Sequence, residues 1–300
     1  MTDDPHAPPI GVSLARRLID SQFPEWSSLP ITGVEVDGWD NRTFRLGSEH
    51  TVRLPTGSWY AQQVEKEQRW LPVLAPLLPL PIPTPVAEGE PSLGFPYPWS
   101  VYRWIDGDLA SQVRIGDLTG FATDLAGFLG ALGRVDATGG PQPGQHNFYR
   151  GGPLATYEEE TFEAIDALGD EVPADDVQRV WADATATSWD RAPVWFHGDV
   201  ATGNLLVRDG RLSAVLDFGT SGIGDPACDM VIAWTFLSGA GRDRFRAELG
   251  VDPGTWSRGR GWALWKALIS LVGHLERDAP DTALARRDIH QILTEYAQDR

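Results

Sequence analysis

The chain is poor in sulfur and in lysine. Its 300 residues include one Cys, two Met and two Lys, against 23 Arg and 42 acidic side chains. The lone Cys228 excludes a disulfide framework and any cysteine-based zinc site, so no oxidising compartment is required. Positive charge is also scarce: the formal net charge is -17. Phosphate backbones are held by clustered Lys and Arg that displace counterions, which excludes nucleic acid as the main partner. Long apolar runs are missing, and the proline-broken stretch around Leu77 to Leu80 is no membrane span. Residues 1 to 9 hold Asp3, Asp4 and three prolines where a signal peptide needs a basic and then an apolar run. A cytoplasmic protein is expected, acting as a monomer or weak dimer without membrane partners.

What is present is distributed unevenly. Residues 1 to 104 carry a net charge of -4 and residues 105 to 300 carry -13. Such acidity reads either as a solvated surface or as attraction for a cationic substrate. A chain this long buries roughly three quarters of its unfolded surface, and at this size a single core commonly divides into two. Two lobes are expected.

The periodicity predicts a helix over 12–20 and then strands over 33–37, 42–46 and 50–54, the last two joined by a tight turn at Gly47-Ser48. From Trp59 to about Leu74, Tyr60, Val64, Leu71 and Leu74 share a helical face, and Glu67 fills the missing inward position. A buried carboxylate is costly without a partner, so Glu67 predicts one on the sheet. Nine of the 23 prolines fall between Leu71 and Trp99. Residues 98 to 104 read as a strand, and a lobe boundary is expected beyond it. An amphipathic helix follows over 118–132. The Gly/Pro-rich loop 139–153 carries the insert 145–150. Thr156 and Glu159 predict a capping box for a helix to about Leu168. A further helix is expected over 174–188, and a largely helical tail from Pro226.

The chemistry concentrates between Pro193 and Met230. A short apolar strand delivers His197-Gly198-Asp199, and Asn204 follows. Asp209-Gly210 is a two-residue hairpin turn, which predicts Asn204 opposite Val215 with Asp217 two residues further on. One amide oxygen and one carboxylate then meet beside Asp199. Hard oxygen ligands in incomplete number suit magnesium completed by a nucleotide's phosphates and water. A nearby carboxylate without a metal can take the proton of an attacking hydroxyl, and together these elements describe phosphoryl transfer. His197 reads as a structural histidine, and Asp225 before Pro226 as a helix N-cap.

His197-Gly198-Asp199-x4-Asn204, Leu216-Asp217-Phe218-Gly219 and Gly224-Asp225-Pro226 together resemble the aminoglycoside phosphotransferase family. These antibiotic kinases include macrolide phosphotransferases and share their fold with protein kinases. The resemblance implies an α+β, bilobal, protein-kinase-like fold, with a small antiparallel-sheet N-lobe over 1–104 ending in a hinge and a larger, mainly helical C-lobe over 105–300. It also implies Asp199 as catalytic base, Asn204 and Asp217 as Mg2+ ligands, Asp229 as a brace of the catalytic loop, and ATP or GTP as co-substrate. The family's strand Lys is replaced here by Arg53, with Glu67 as its expected partner, and the two side chains are not interchangeable. Asn41 and Arg42 sit where a phosphate-covering loop is expected, and Tyr102 and Trp104 at the hinge for the base. For the acceptor site, His146, Glu160 and Trp234 are the candidates.

The leading expectation is a kinase acting on a hydroxyl of an aminoglycoside, macrolide or nucleoside antibiotic. Arg53 and a loop with a single Gly motivate the alternative, a nucleotide-binding module without transfer activity. A kinase of another metabolite is the third reading. Protein substrates fit poorly, because the His197-Gly198-Asp199 loop lacks the Arg that reads an activation-loop phosphate and the eight residues from Asp217 to Asp225 leave little room for such a loop.

Overall fold

The computed structural model describes residues 9–34, 38, 40–276 and 282–299. Helix α1 (Val12–Gln22) precedes strands β1 (Ile31–Gly33), β2 (Asn41–Leu46) and β3 (His50–Pro55). Helix α2 (Ser58–Leu74) then leads to β4 (Pro85–Gly89) and β5 (Trp99–Arg103). The strands form an antiparallel sheet in the order β1-β2-β3-β5-β4. Residues 35–37 of the expected first strand lie outside the described residues.

Alternation along these strands decides which side chains reach the cleft. Phe44, Leu46, Val52, Leu54, Trp99 and Val101 point to one face, where Leu14, Ala15, Leu18 and Ile19 of α1 complete a core. Arg53, Ser100 and Tyr102 therefore point to the other face, against α2. Gln68 docks that helix by donating to Ser100 Oγ (2.9 Å) and to the Ala87 carbonyl (3.0 Å).

The second part begins with β6 (Asp108–Leu109) and continues through α3 (Leu118–Gly133), α4 (Glu158–Leu168) and α5 (Ala174–Thr185). Strands β7 (Val194–Phe196), β8 (Leu205–Arg208), β9 (Arg211–Val215) and β10 (Gly222–Gly224) follow. The chain ends in α6 (Ile232–Thr235), α7 (Gly239–Leu249), α8 (Pro253–Glu276) and α9 (Thr282–Gln298). The small sheets are β6-β8-β9 and β10-β7. A larger core contains Trp181, Trp195, Trp234, Trp256 and Trp262, each fully buried, and it extends to Leu71, Leu74 and Ile82 of the first part. Each such Trp is worth about 3–5 kcal/mol against Ala.

Two local expectations fail for identifiable reasons. Helix α4 starts at Glu158 behind a 3-10 turn over Leu154–Tyr157, with Tyr157 in the capping position and no side-chain cap, so Thr156 and Glu159 form no capping box. Burial of Leu154 begins the turn earlier, and the Tyr157 hydroxyl is drawn to the Phe148 carbonyl.

In the β8-β9 hairpin, Arg208 pairs with Arg211 and Val207 with Leu212, as a two-residue turn requires. Beyond a bulge, Leu206 pairs with Ala214 and Leu205 with Val215. Ser213 is the extra residue. The bulge lets Leu212, Ala214 and Val215 all stay buried while Ser213 drops out of the ladder. Asn204 therefore lies beside Leu216, whose N–H donates to its carbonyl (2.7 Å), and Asp217 follows by one residue rather than two.

Candidate active site

The loop after β7 is held from behind. Both Asp229 oxygens are used, accepting the His197 N–H at 2.8 Å and the Gly198 N–H at 2.7 Å. His197 joins the loop after β7 to the segment after β9: its Nε2 donates to the Leu216 carbonyl (2.8 Å), and its Nδ1 accepts the Asp199 N–H (3.2 Å). Both ring nitrogens are engaged, which is the structural role read from the sequence. Gly198 adopts φ +90, and a Cβ there would stand 2.6 Å from the Thr220 carbonyl oxygen. Only glycine lets this loop lie against the segment after Phe218.

Asp199 is thereby delivered to the cleft with its carboxylate held on both sides. Lys266 Nζ contacts Oδ1 at 2.8 Å, and Asn204 Nδ2 donates to Oδ2 at 3.0 Å and to the Asp199 carbonyl at 2.9 Å. Burial pushes the Asp199 pKa up, but the Lys266 ammonium with its hydrogen bond, His197 and Arg150 together outweigh it, and the net direction is down. The carboxylate is ionised and able to accept a proton.

The two bonds from Nδ2 also orient the Asn204 amide, leaving Oδ1 as its acceptor side. Asp217 sits at φ +61, a left-handed conformation that Asp tolerates better than most residues, and its Oδ1 accepts the Gly219 N–H at 3.3 Å. Asn204 and Asp217 offer hard oxygen donors of the kind magnesium takes. Among the described residues no three His, Cys, Asp or Glu side chains cluster to hold a metal by themselves.

On the sheet side, Arg53 spans two acids: Nη1 lies 3.5 Å from Glu67 Oε2 and Nη2 lies 3.4 Å from Asp217 Oδ1. The sheet partner that Glu67 required is found twice over, since Tyr102 also donates its hydroxyl to Oε2 at 2.5 Å. This corrects the placement of Tyr102. At 3% exposure it lies beneath Arg53 as a partner of Glu67, and it presents no face to a base. Trp104 is likewise turned aside, donating to Asp106 (2.8 Å) and covered by the Arg45 guanidinium 4.1 Å from its ring. Its backbone N–H is bonded to the Glu49 carbonyl (2.7 Å). Asn41 is buried opposite Pro55, and Arg42 donates to the Gly38 carbonyl (2.7 Å). Trp39 of that loop lies outside the described residues.

Several residues in the cleft have no counterpart among the sequence candidates. Asp40 enters beside Asp217 and Arg53, and burial, with Asp217 reinforcing it, pushes its pKa up to about 7. Lys66 runs from α2 to the Gly219 carbonyl (2.5 Å) and the Ser221 carbonyl (3.0 Å), tying the helix to the Asp-Phe-Gly segment. Both lysines of the chain, Lys66 and Lys266, thus end at this site. In a chain where Arg replaces Lys almost everywhere, that rarity was the available signal. Arg150 belongs to the insert of the Gly/Pro-rich loop, and its Nε donates to the Gly198 carbonyl (3.2 Å).

Arg150, Asp199, Lys266, Trp262, Trp265 and Val231 line a cavity on the side of Asp199 away from the sheet. Glu160 accepts the Trp265 indole N–H at 2.7 Å, so it stands behind this wall. His146 lies 3.5 Å from Lys66 Nζ and is bonded to the Gln142 carbonyl, which places it near the α2 contact. Trp234 has no part in any acceptor surface. It is wholly buried, stacked on Trp256, with its indole N–H on Glu295. Asp225 caps the turn at Pro226 by accepting the Ala227 N–H (3.1 Å) and pairs with buried Arg258 at 2.6 Å. Its role is structural.

The phosphotransferase enzyme family matches the chain over residues 31–266, and the chain belongs to that family. It is accordingly a phosphotransferase with an alcohol group as acceptor. Among solved structures, the GDP and kanamycin complex of APH(2″)-IIia is similar at TM-score 0.71 and 20% identity, covering 96% of this chain and 99% of that one. Macrolide 2'-phosphotransferase type I is similar at TM-score 0.61 and 19% identity, over 92% and 96% of the two chains. Macrolide 2'-phosphotransferase MphH from Brachybacterium faecium is similar at TM-score 0.58 and 21% identity, over 87% and 91%. At these identities the likeness establishes the fold, a kinase-like α+β arrangement of antiparallel sheet and helical part. No curated protein sequence matches the chain. Among the described residues no helix is long and apolar enough to cross a membrane.

Proposed function

We propose that the protein is a small-molecule kinase that transfers the terminal phosphate of ATP or GTP to a hydroxyl of an antibiotic, conferring resistance. The observation that carries this reading is the convergence of Asp199, Asn204 and Asp217 on one loop and hairpin end, with Asp199 ionised and held by two neighbours. The nucleotide lies between the sheet part, residues 1–104, and the helical part, residues 105–300.

Asp199 orients the acceptor hydroxyl and accepts its proton as the oxygen attacks the terminal phosphorus. Asn204 and Asp217 would hold Mg2+, which would supply charge neutralisation on the phosphates. Arg53 contacts phosphate oxygens from the sheet side while Glu67 and Tyr102 fix its position, with Asn41 and Arg42 at the start of β2. Asp229 and His197 keep the loop in register. Most of the rate enhancement then comes from positioning and from charge stabilisation.

The test is a panel of aminoglycoside, macrolide and nucleoside antibiotics incubated with the protein, Mg2+ and ATP or GTP, read by mass as one phosphate added. Product with one class identifies the acceptor, and D199A should abolish it. No product with any acceptor, together with tight nucleotide binding, would establish the binding-module alternative. Retained turnover in D199A would sink the base assignment.

A further inference from the structure

The wall beyond Asp199 is basic, against the acidity of the part of the chain that builds it. Two cations, Arg150 and Lys266, line the same cavity as Asp199. Lys266 is paired to Asp199. Arg150 is different: it is half-buried, and among the described residues no carboxylate lies within ion-pair distance of its guanidinium. Its packing partners are aromatic, and Asp199, outside ion-pair distance, shares its field across the cavity. The guanidinium carbon stands 4.7 Å from the Trp265 ring centroid, 5.0 Å from that of Trp262 and 5.8 Å from that of Tyr157. Nε is bonded to the Gly198 carbonyl, and Nη1 reaches only the Tyr157 hydroxyl, at 3.5 Å.

The nearby acids are otherwise engaged. Asp229 faces the His197 and Gly198 N–H groups, and Glu160 holds the Trp265 indole. Stacking on indoles fixes a guanidinium without consuming its hydrogen-bonding edge, which is shaped for the two oxygens of a carboxylate or phosphate. The bond to Gly198 sets that edge at a fixed place relative to the next residue, Asp199.

We infer that the basic face presented by Arg150 and Lys266 beside Asp199 is an anion subsite for the acceptor, which carries a carboxylate or phosphate close to the hydroxyl that is phosphorylated. The inference rests on the kinase reading above and narrows it. A polycation entering here meets two like charges beside the reacting carboxylate, so the net charge of -17 does not describe the site. The strongly acidic exposed face of α4, with Glu158, Glu159 and Glu163, is solvated surface.

The test is a calorimetric titration of inorganic phosphate into the protein saturated with Mg2+ and a non-hydrolysable ATP analogue, which fills the terminal phosphate position. Phosphate should bind, and R150Q should weaken that binding at least tenfold while keeping its thermal midpoint. R150K, with the charge but without the planar edge, should fall between the two. Binding that R150Q leaves unchanged marks an adventitious ion only and overturns the subsite. Binding seen with ADP but lost with the ATP analogue places the anion at the transferred phosphoryl position and overturns the acceptor assignment. Absence of phosphate binding under both conditions does so too. Failure of the ATP analogue to bind at all counts against the kinase reading, separately from these outcomes.

Discussion

Replacing Asp229 with Asn tests how the catalytic loop is held. The wild-type carboxylate is 2% exposed, and each oxygen accepts one backbone N–H, from His197 at 2.8 Å and from Gly198 at 2.7 Å. An amide keeps one acceptor and turns an NH2 group toward the other N–H. Losing a charge-assisted bond costs about 1.5–3 kcal/mol, and a buried N–H left unpaired adds to that. The neutral amide is cheaper to desolvate, which returns part, so a net loss of about 1–3 kcal/mol is expected.

Amide hydrogen exchange and urea denaturation together read this effect without any acceptor. Exchange at His197 and Gly198 should accelerate roughly 5- to 150-fold, since each 1.4 kcal/mol is a factor of ten. The urea midpoint should fall at unchanged m. Burial is the leading cause of the raised Asp229 pKa, exceeding the opposing effects of His197 and the two N–H groups. The folded state therefore holds the proton at pH values where the unfolded chain has released it. Stability from this residue is greatest below the ordinary carboxylate pKa and declines as pH rises toward the raised folded value. D229N lacks that slope. Unaltered exchange at both amides with an unaltered midpoint would refute the proposed brace.

Three other substitutions test separate parts of the structure. D225A strands a buried Arg258 and should cost about 3–5 kcal/mol, with much of the loss recovered in D225A/R258M; simple addition of the two single effects in denaturant melts would contradict the pairing. W234A should cost about 3–5 kcal/mol as a cavity in the core, while W234F leaves the acceptor KM unchanged; a KM effect in W234F would return Trp234 to the acceptor site. R53M removes the cation between Glu67 and Asp217 and should weaken ATP binding about tenfold or more by calorimetry, and an unchanged Kd would remove Arg53 from the nucleotide site.

Much of the site was legible because its chemistry lies within short segments. His197, Asp199, Asn204 and Asp217 fall in one stretch joined by a recognisable hairpin turn, so local geometry nearly sufficed to bring them together. The register was off by one because the bulge at Ser213 depends on which side chains the core accepts. Glu67 announced its need for a partner through its place on an apolar helical face. The partners, Arg53 and Tyr102, follow from strand alternation. The same alternation buries Tyr102, and the base-lining role expected of it failed once α2 covered that face.

Segment-level reading could not find the contacts that join distant parts of the chain. Lys266 reaches Asp199 across 67 positions and Arg150 reaches Gly198 across 48, from a helix and a loop whose docking is set by the tryptophan core. The aromatic count signalled a large core without separating Trp234, which is wholly inside, from Trp265, which lines the cavity beside Asp199.

The amino-acid sequence by itself determined the reaction class and the α+β fold class, and it pointed to Asp199 as the proposed base. These depend on residue types at short spacings and on local periodicity, which survive without knowledge of long-range packing. Tertiary structure alone decided which charges stand beside Asp199. Charge in a site is set by which side chains are brought there and which are already paired, and net composition carries neither piece of information.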